Sequence, residues 1–233
     1  MAAPPPTLAG SRLRALARGS AERQAAPELE RCDLCDEPIG SGHRHLLEVS
    51  SRELMCACQA CRLLFDSDAA GAGGARYRLV PDRRLALEGF DLDDATWAGL
   101  RIPVEMAFFF HSSPAERVVA FYPSPMGATE SQLELSSWEE LERSNPVLGS
   151  MEPDVEALLV NRARGARQHF VVPIEDCYDL VGLIRTRWRG LSGGKEVWQE
   201  IEGFFEALAE RARTVTGNPE EDAWQRSEPA RAM

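Results

Sequence analysis

Five of the six cysteines fall between Cys32 and Cys61, and their spacing is that of metal ligands. They stand as Cys32-Asp-Leu-Cys35 and, farther on, Cys56-Ala-Cys58-Gln-Ala-Cys61. A Cys-x-x-Cys segment brings two sulfurs onto one tight turn, so a single ion takes both without strain. Two such turns, Cys32/Cys35 and Cys58/Cys61, supply the four thiolates of a tetrahedral site, the geometry zinc prefers. Sulfur-rich spacing of this kind also suits an iron–sulfur cluster, so zinc and iron–sulfur stand as alternatives. Cys56 is one thiol more than tetrahedral zinc needs. It reads either as a small apolar strand residue or as a replacement for Cys58, and His43 or His45 are further candidates for one ligand place.

The elements that must position these sulfurs follow from the residues between them. His45–Val49 and Glu53–Cys56 are strand-like, Ser50-Ser51-Arg52 makes the turn, and Gln59–Asp66 opens a short helix. A knuckle, a hairpin and a helix carrying the second pair describe a treble-clef or zinc-ribbon-like module over residues 30–66. So short a segment has little core of its own, so a bound ion supplies folding energy. Some HNH-type nucleases use this scaffold, with a His near the first strand as base and a His or Asn on the helix. Here the first strand supplies His43 and His45, but the helix supplies neither.

Other motifs carry less chemistry. The stretch Gly190–Glu196 resembles a phosphate loop but fails on spacing, and Glu196 stands where Ser or Thr binds magnesium. It reads as a loop and N-cap opening the last helix. Arg162, Arg164, Arg167, Arg185, Arg187 and Arg189 form two basic groups. They suit an anion or acidic partner, or a solvated turn and a helix end where Arg offsets the dipole. Cys177, His111 and His169 read as packed residues. Phe121–Glu130 reads as a long proline-punctuated loop; an enzyme reading would need Glu130, His111 and Arg185 to converge around a pocket.

A length of 233 residues allows one large domain, or a medium domain with a small module. The net charge of −11 argues against a nucleic-acid coat or an anionic-membrane binder, since both need a basic surface. No apolar stretch reaches the ~20 residues of a membrane span, and the N-terminus has no apolar signal core. A cytoplasmic protein with reduced thiols is expected, since six cysteines in a chain this long do not make a secreted disulfide scaffold. Residues 1–29 and 217–233 read as disordered tails, with Leu13, Leu16, Ala17 and Trp224 as possible anchors. Residues 67–75 read as a Gly/Ala-rich linker.

Residues 76–216 pattern as a second domain. Tyr77–Val80 is strand-like, and Asp93 or Asp94 caps a short helix carrying Trp97. Pro103–His111 and Arg117–Tyr122 form a hairpin. Ser137 with Glu140 makes a capping box, and Asn145-Pro146 stops the helix that follows. Glu156–Asn161 and Gln168–Ile174 form another strand pair across an Arg-rich turn. Two amphipathic stripes close the domain: Cys177, Leu180, Val181, Ile184, Trp188, and then Val197, Trp198, Ile201, Phe204, Phe205, Leu208. The expected class is α+β: the small metal module, then an antiparallel-sheet domain with two C-terminal amphipathic helices.

Several stretches taken together carry a resemblance. They are RCDLCDEPIGSGHRHLLEV, ELMCACQACRLLF, RYRLVPDRR, RIPVEMAFFF, VVAFYPSPMGATES, DVEALLVNRARG and CYDLVGLIRTRWRGLSGGKEVW. Over about residues 30–212 the chain resembles an uncharacterised bacterial family, a domain of unknown function frequent in actinobacteria. Genes of that family are often neighbours of those for actinobacterial-type nickel–iron uptake hydrogenases and their maturation factors. The resemblance implies no assigned activity and no catalytic residues. It implies an accessory role in hydrogenase assembly, maturation or function. The expectation is therefore a non-enzymatic zinc-binding protein whose partners are proteins, such as hydrogenase subunits or maturation factors, and not nucleic acid. The alternatives are an iron–sulfur electron-transfer protein of the same system and, last, an HNH-like or other enzyme.

Overall fold

The computed structural model describes residues 30–65 and 76–216. The expected tails at 1–29 and 217–233, the expected anchors in them and the linker at 67–75 lie outside the described residues. The fold is α+β. Its larger sheet has seven strands, built around the most apolar segments of the sequence. β5 (Met106–Ser112) and β8 (Glu156–Asn161) run side by side near its centre, antiparallel and buried almost throughout. β9 (Gln168–Pro173) pairs with β8, and β4 (Leu85–Glu88) with β9. On the other side β6 (Arg117–Ser124) pairs with β5, and β7 (Gly127–Ser131) with β6. The short β10 (Arg213–Thr216) closes the far edge, parallel to β4. The sheet is therefore mixed, where a purely antiparallel one was expected.

Alternation along β5 assigns its faces. Met106, Phe108 and Phe110 point into one core, shared with Leu159, Phe170, Val172 and the helices α4 (Ile174–Arg187) and α5 (Gly194–Arg211). The buried stripe of α4 is Cys177, Leu180, Val181 and Ile184, and that of α5 is Val197, Ile201, Phe205 and Leu208, as the helical spacing predicts. Ala107 and Phe109 point to the opposite face. There Leu158, Val160 and Val171 meet Trp138 and Leu141 of α3 (Leu135–Ser144) and Leu100, which follows α2 (Asp94–Gly99).

Asp93 caps α2 as expected, accepting from the Thr96 N–H at 2.7 Å. The expected capping box at Ser137/Glu140 does not form. α3 begins three residues earlier, with the Trp138 N–H already bonded to the Glu134 carbonyl, so Ser137 is inside the helix and cannot hold a cap's extended backbone. Asn145 ends α3 and its buried amide closes the turn, donating to the Leu141 and Asp91 carbonyls while accepting from the Asp91 N–H. Residues 121–130 are not a long loop but the tip of the β6–β7 hairpin, with Pro123 opposite Ala128. Pro123 is tolerated because β5 pairs with β6 only as far as Phe121, so no neighbour on that side needs its missing N–H.

The cysteine-rich segment forms a three-stranded sheet in the order β2-β1-β3. β1 (Arg44–Glu48) and β2 (Glu53–Ala57) are the expected hairpin, followed by α1 (Gln59–Phe65). β3 (Tyr77–Leu79) comes from beyond residue 75, yet pairs antiparallel with β1. Leu47 of β1 and Val80 after β3 are buried in the same core as α4 and α5. The hairpin is thus packed onto the larger sheet's helical face.

Candidate metal centre

The first cysteine pair sits on a knuckle. The Cys32 N–H donates to the Glu37 carbonyl and the Asp36 N–H to the Cys32 carbonyl, with Asp36 in the left-handed region at φ 62°. Arg31 clamps the turn through the Asp36 carbonyl and carboxylate. The second pair is set by α1. Cys58 immediately precedes the helix, and its sulfur accepts the Cys61 N–H at 3.4 Å. Asp33 joins the two halves: its N–H donates to the Cys56 carbonyl at 2.9 Å, and its carboxylate accepts the Cys56 N–H at 2.6 Å.

These turns place the sulfurs of Cys32, Cys35, Cys58 and Cys61 within 4.8 Å of one another. Cys32, Cys58 and Cys61 are buried against Ile39, and Cys35 is exposed. Cys35 and Cys58 are 3.6 Å apart, far beyond a disulfide bond. They match the roughly 3.8 Å edge of a tetrahedron with metal–sulfur bonds of about 2.3 Å. All six cysteines are unbridged.

The electrostatics favour a cation here. Burial pushes the Cys32 thiol up, but the backbone N–H groups of Cys58, Leu34 and Cys35 outweigh it and bring Cys32 down to about 6. The Glu37 N–H favours a Cys35 thiolate, yet its sulfur neighbours Cys32 and Cys58 leave it raised. Cys61 is pushed up by burial and then by the other three sulfurs. One thiolate is stabilised and its neighbours resist a second charge, which is the pattern of like charges crowded together. A divalent ion among them reverses that preference by deprotonating coordinating thiols. Donor type, number and spacing all fit such an ion.

Cys56, His43 and His45 are not part of this group. One ring nitrogen of each His and the Cys56 sulfur form a second group, again within 4.8 Å of one another. They are grouped apart from the four cysteines. The pairing register explains it: His45 lies directly across from Cys56 on β1 and β2, and His43 is two residues before His45 on the same face. His45 also reaches α4, its Nδ1 2.8 Å from the Glu175 carboxylate. That hydrogen bond raises the His45 pKa against burial. Cys56 is raised by burial, then by the charges of Asp33, Glu30 and Cys32. Glu175 lies 130 positions from His45 in sequence, and no local pattern announces it.

The remaining candidates are spread apart. Cys177 is fully buried in the α4 stripe, and burial lifts its thiol far above the ordinary range. Glu130 pairs with Arg117, while His111 is exposed on β5 and Arg185 lies on α4, so the three do not converge. Five of the six arginines in the two basic groups bind within the chain, and Arg185 is exposed. Arg162 and Arg167 share Asp94, Arg162 lies over the Trp97 ring, Arg164 pairs with Glu202 over the Trp198 ring, and Arg187 pairs with Glu200. The Gly190–Glu196 loop is pinned by two indoles, Trp188 donating to the Gly190 carbonyl and Trp198 to that of Ser192. Gly193 caps α5 at φ 84°, packed so close to Val197 and the Trp188 ring that a Cβ would clash.

No curated protein and no solved structure matches the chain. A family model does, over residues 31–212, a span that takes in the four-cysteine group, the second group and nearly all of the seven-stranded sheet. On that match the chain belongs to the family of unknown function DUF5947.

Proposed function

We propose that Cys32, Cys35, Cys58 and Cys61 hold one zinc ion as thiolates, and that the chain is a non-enzymatic accessory protein acting through protein–protein contacts. The observation that carries this is the convergence of the four sulfurs, with backbone N–H groups aimed at Cys32 and Cys58. When bound, the ion acts as a structural cross-link with no open position, since four protein thiolates complete its tetrahedron. The knuckle, hairpin and helix that carry the ligands fit a treble-clef or zinc-ribbon reading of the module. Cys32 and Cys35 hold the ion from the knuckle, Cys58 and Cys61 from the start of α1, and Asp33 keeps the two in register.

The partner we propose is a nickel–iron hydrogenase subunit or one of its maturation factors, in the cytoplasm, where thiols stay reduced. The support is the sequence resemblance to a family encoded beside such hydrogenases. The test is capture of the tagged full-length protein from hydrogenase-producing cells. Co-purification of hydrogenase subunits or maturation factors is expected. A zinc-loaded protein that emerges without them contradicts the partner while leaving the zinc site standing. Iron and sulfide in the purified protein, with visible absorption, replace the structural ion with an electron-transfer cluster.

A further inference from the structure

The geometry points to a second metal site in the same module: His43, His45 and Cys56 bind a borderline first-row divalent ion such as zinc, separate from the four-cysteine ion, with a fourth position open to water or a small exogenous ligand. Two imidazoles and one thiolate are donors of that class, and three protein ligands are the number that leaves a coordination position free.

The second observation is the state of the two rings. His43 Nδ1 is 2.9 Å from the Gly40 carbonyl, which only accepts, so Nδ1 carries the proton. Glu30 lies 3.2 Å from the same nitrogen. His45 Nδ1 faces the Glu175 carboxylate in the same way. In the neutral ring each Nε2 then holds the lone pair, as in ligating histidines whose other nitrogen is held by a carboxylate or carbonyl. The His43 side chain is only 9% exposed, and its Nε2 is buried with no hydrogen-bond partner. An orphaned buried nitrogen costs stability unless something engages it. The rings meet edge to face, centroids 4.8 Å apart, and Cys56 stands opposite His45 across the hairpin. His43 also lines a cleft of about 880 Å³, together with Cys35 and Cys58 of the four-cysteine group.

The test is zinc binding by the full-length protein, equilibrated with zinc and desalted, with cobalt(II) as a spectroscopic stand-in. Wild type is expected to retain two ions per chain and Cys56→Ser one, with the same circular dichroism. Cobalt at the weaker site is expected to show a thiolate charge-transfer band that Cys56→Ser removes. Glu175→Gln is expected to weaken that site about 10- to 100-fold with stoichiometry unchanged, because Glu175 positions His45 without touching the ion. The proposal is overturned by a wild type that retains a single ion, by Cys56→Ser keeping wild-type stoichiometry and the same band, or by Cys56→Ser losing all metal. The last outcome makes Cys56 a ligand of the four-cysteine ion.

Discussion

The His169 imidazole is stacked on Phe90 at 4.7 Å between centroids, with its Nε2 buried and unpartnered. Burial, then the charges of Arg162 and Arg167, push its pKa down from 6.5 to about 4. Unfolded His169 protonates first as pH falls, so its contribution is intact above pH 6.5 and is lost down to about 4. The loss is on the order of 2–3 kcal/mol. Urea midpoints at pH 7 and pH 4.5 measure it, and His169→Gln should shrink the difference; an unchanged slope would refute this assignment. At the same scale Cys35→Ser removes one of the four proposed thiolate ligands but little packing, since Cys35 is exposed. Loss of the four-cysteine ion and of hydrogen-exchange protection across β1 and β2 is expected, with metal analysis and exchange as the measurements. The convergence of the four cysteines was legible from spacing because a Cys-x-x-Cys pair carries its geometry locally. The second group was not legible. Counting back from a Ser50–Arg52 turn pairs His45 with Ala57; in the structure Val49 joins the turn, which shifts the register by one and brings Cys56 opposite His45, while Glu175 and the buried edge of His43 are set by tertiary packing.

Between elements, the N-terminus of α4 gathers the long-range ties. Glu175 and Asp176 lie in its first turn, where negative charge is favoured. Arg84, just before β4, forks onto Asp176 with contacts of 2.7 and 2.9 Å and reaches Glu175 at 3.5 Å. Asp176 is nearly fully buried, so Arg84→Met leaves a buried carboxylate without its main partner. A loss of about 3–5 kcal/mol is expected by chemical denaturation. Replacing both residues, Arg84→Met with Asp176→Leu, should recover much of it. The amphipathic stripes of α4 and α5 were legible because one face of each is buried at regular spacing. The start of α3 was not: Ser137 and Glu140 spell a cap that the backbone bypasses by turning helical at Leu135. β4 and β10 are four residues each, too short to show a period; β4 is placed by β9, and β10 adds onto β4.

For the molecule as a whole, the hairpin that presents the cysteines also carries Leu47 into the core beneath α4 and α5, with Leu54 packed against it. Removing the ion is therefore expected to weaken that core as well as the module. Tryptophan fluorescence reports it cleanly, because Trp97, Trp138, Trp188 and Trp198 all lie beyond residue 65. A strong chelator should lower the thermal midpoint seen by these indoles; a midpoint unmoved while the metal leaves would uncouple the two parts. The α+β class was readable from strands followed by helices. The joining of β3 to β1 was not, since it depends on where the chain returns after residue 75. The four-cysteine ion is tested most directly by metal content with an absorption spectrum on anaerobically purified full-length protein. The expected result is tightly held zinc in colourless protein, retained by Cys56→Ser and lost from Cys35→Ser. A folded protein without metal, or a brown one containing iron and sulfide, would contradict it.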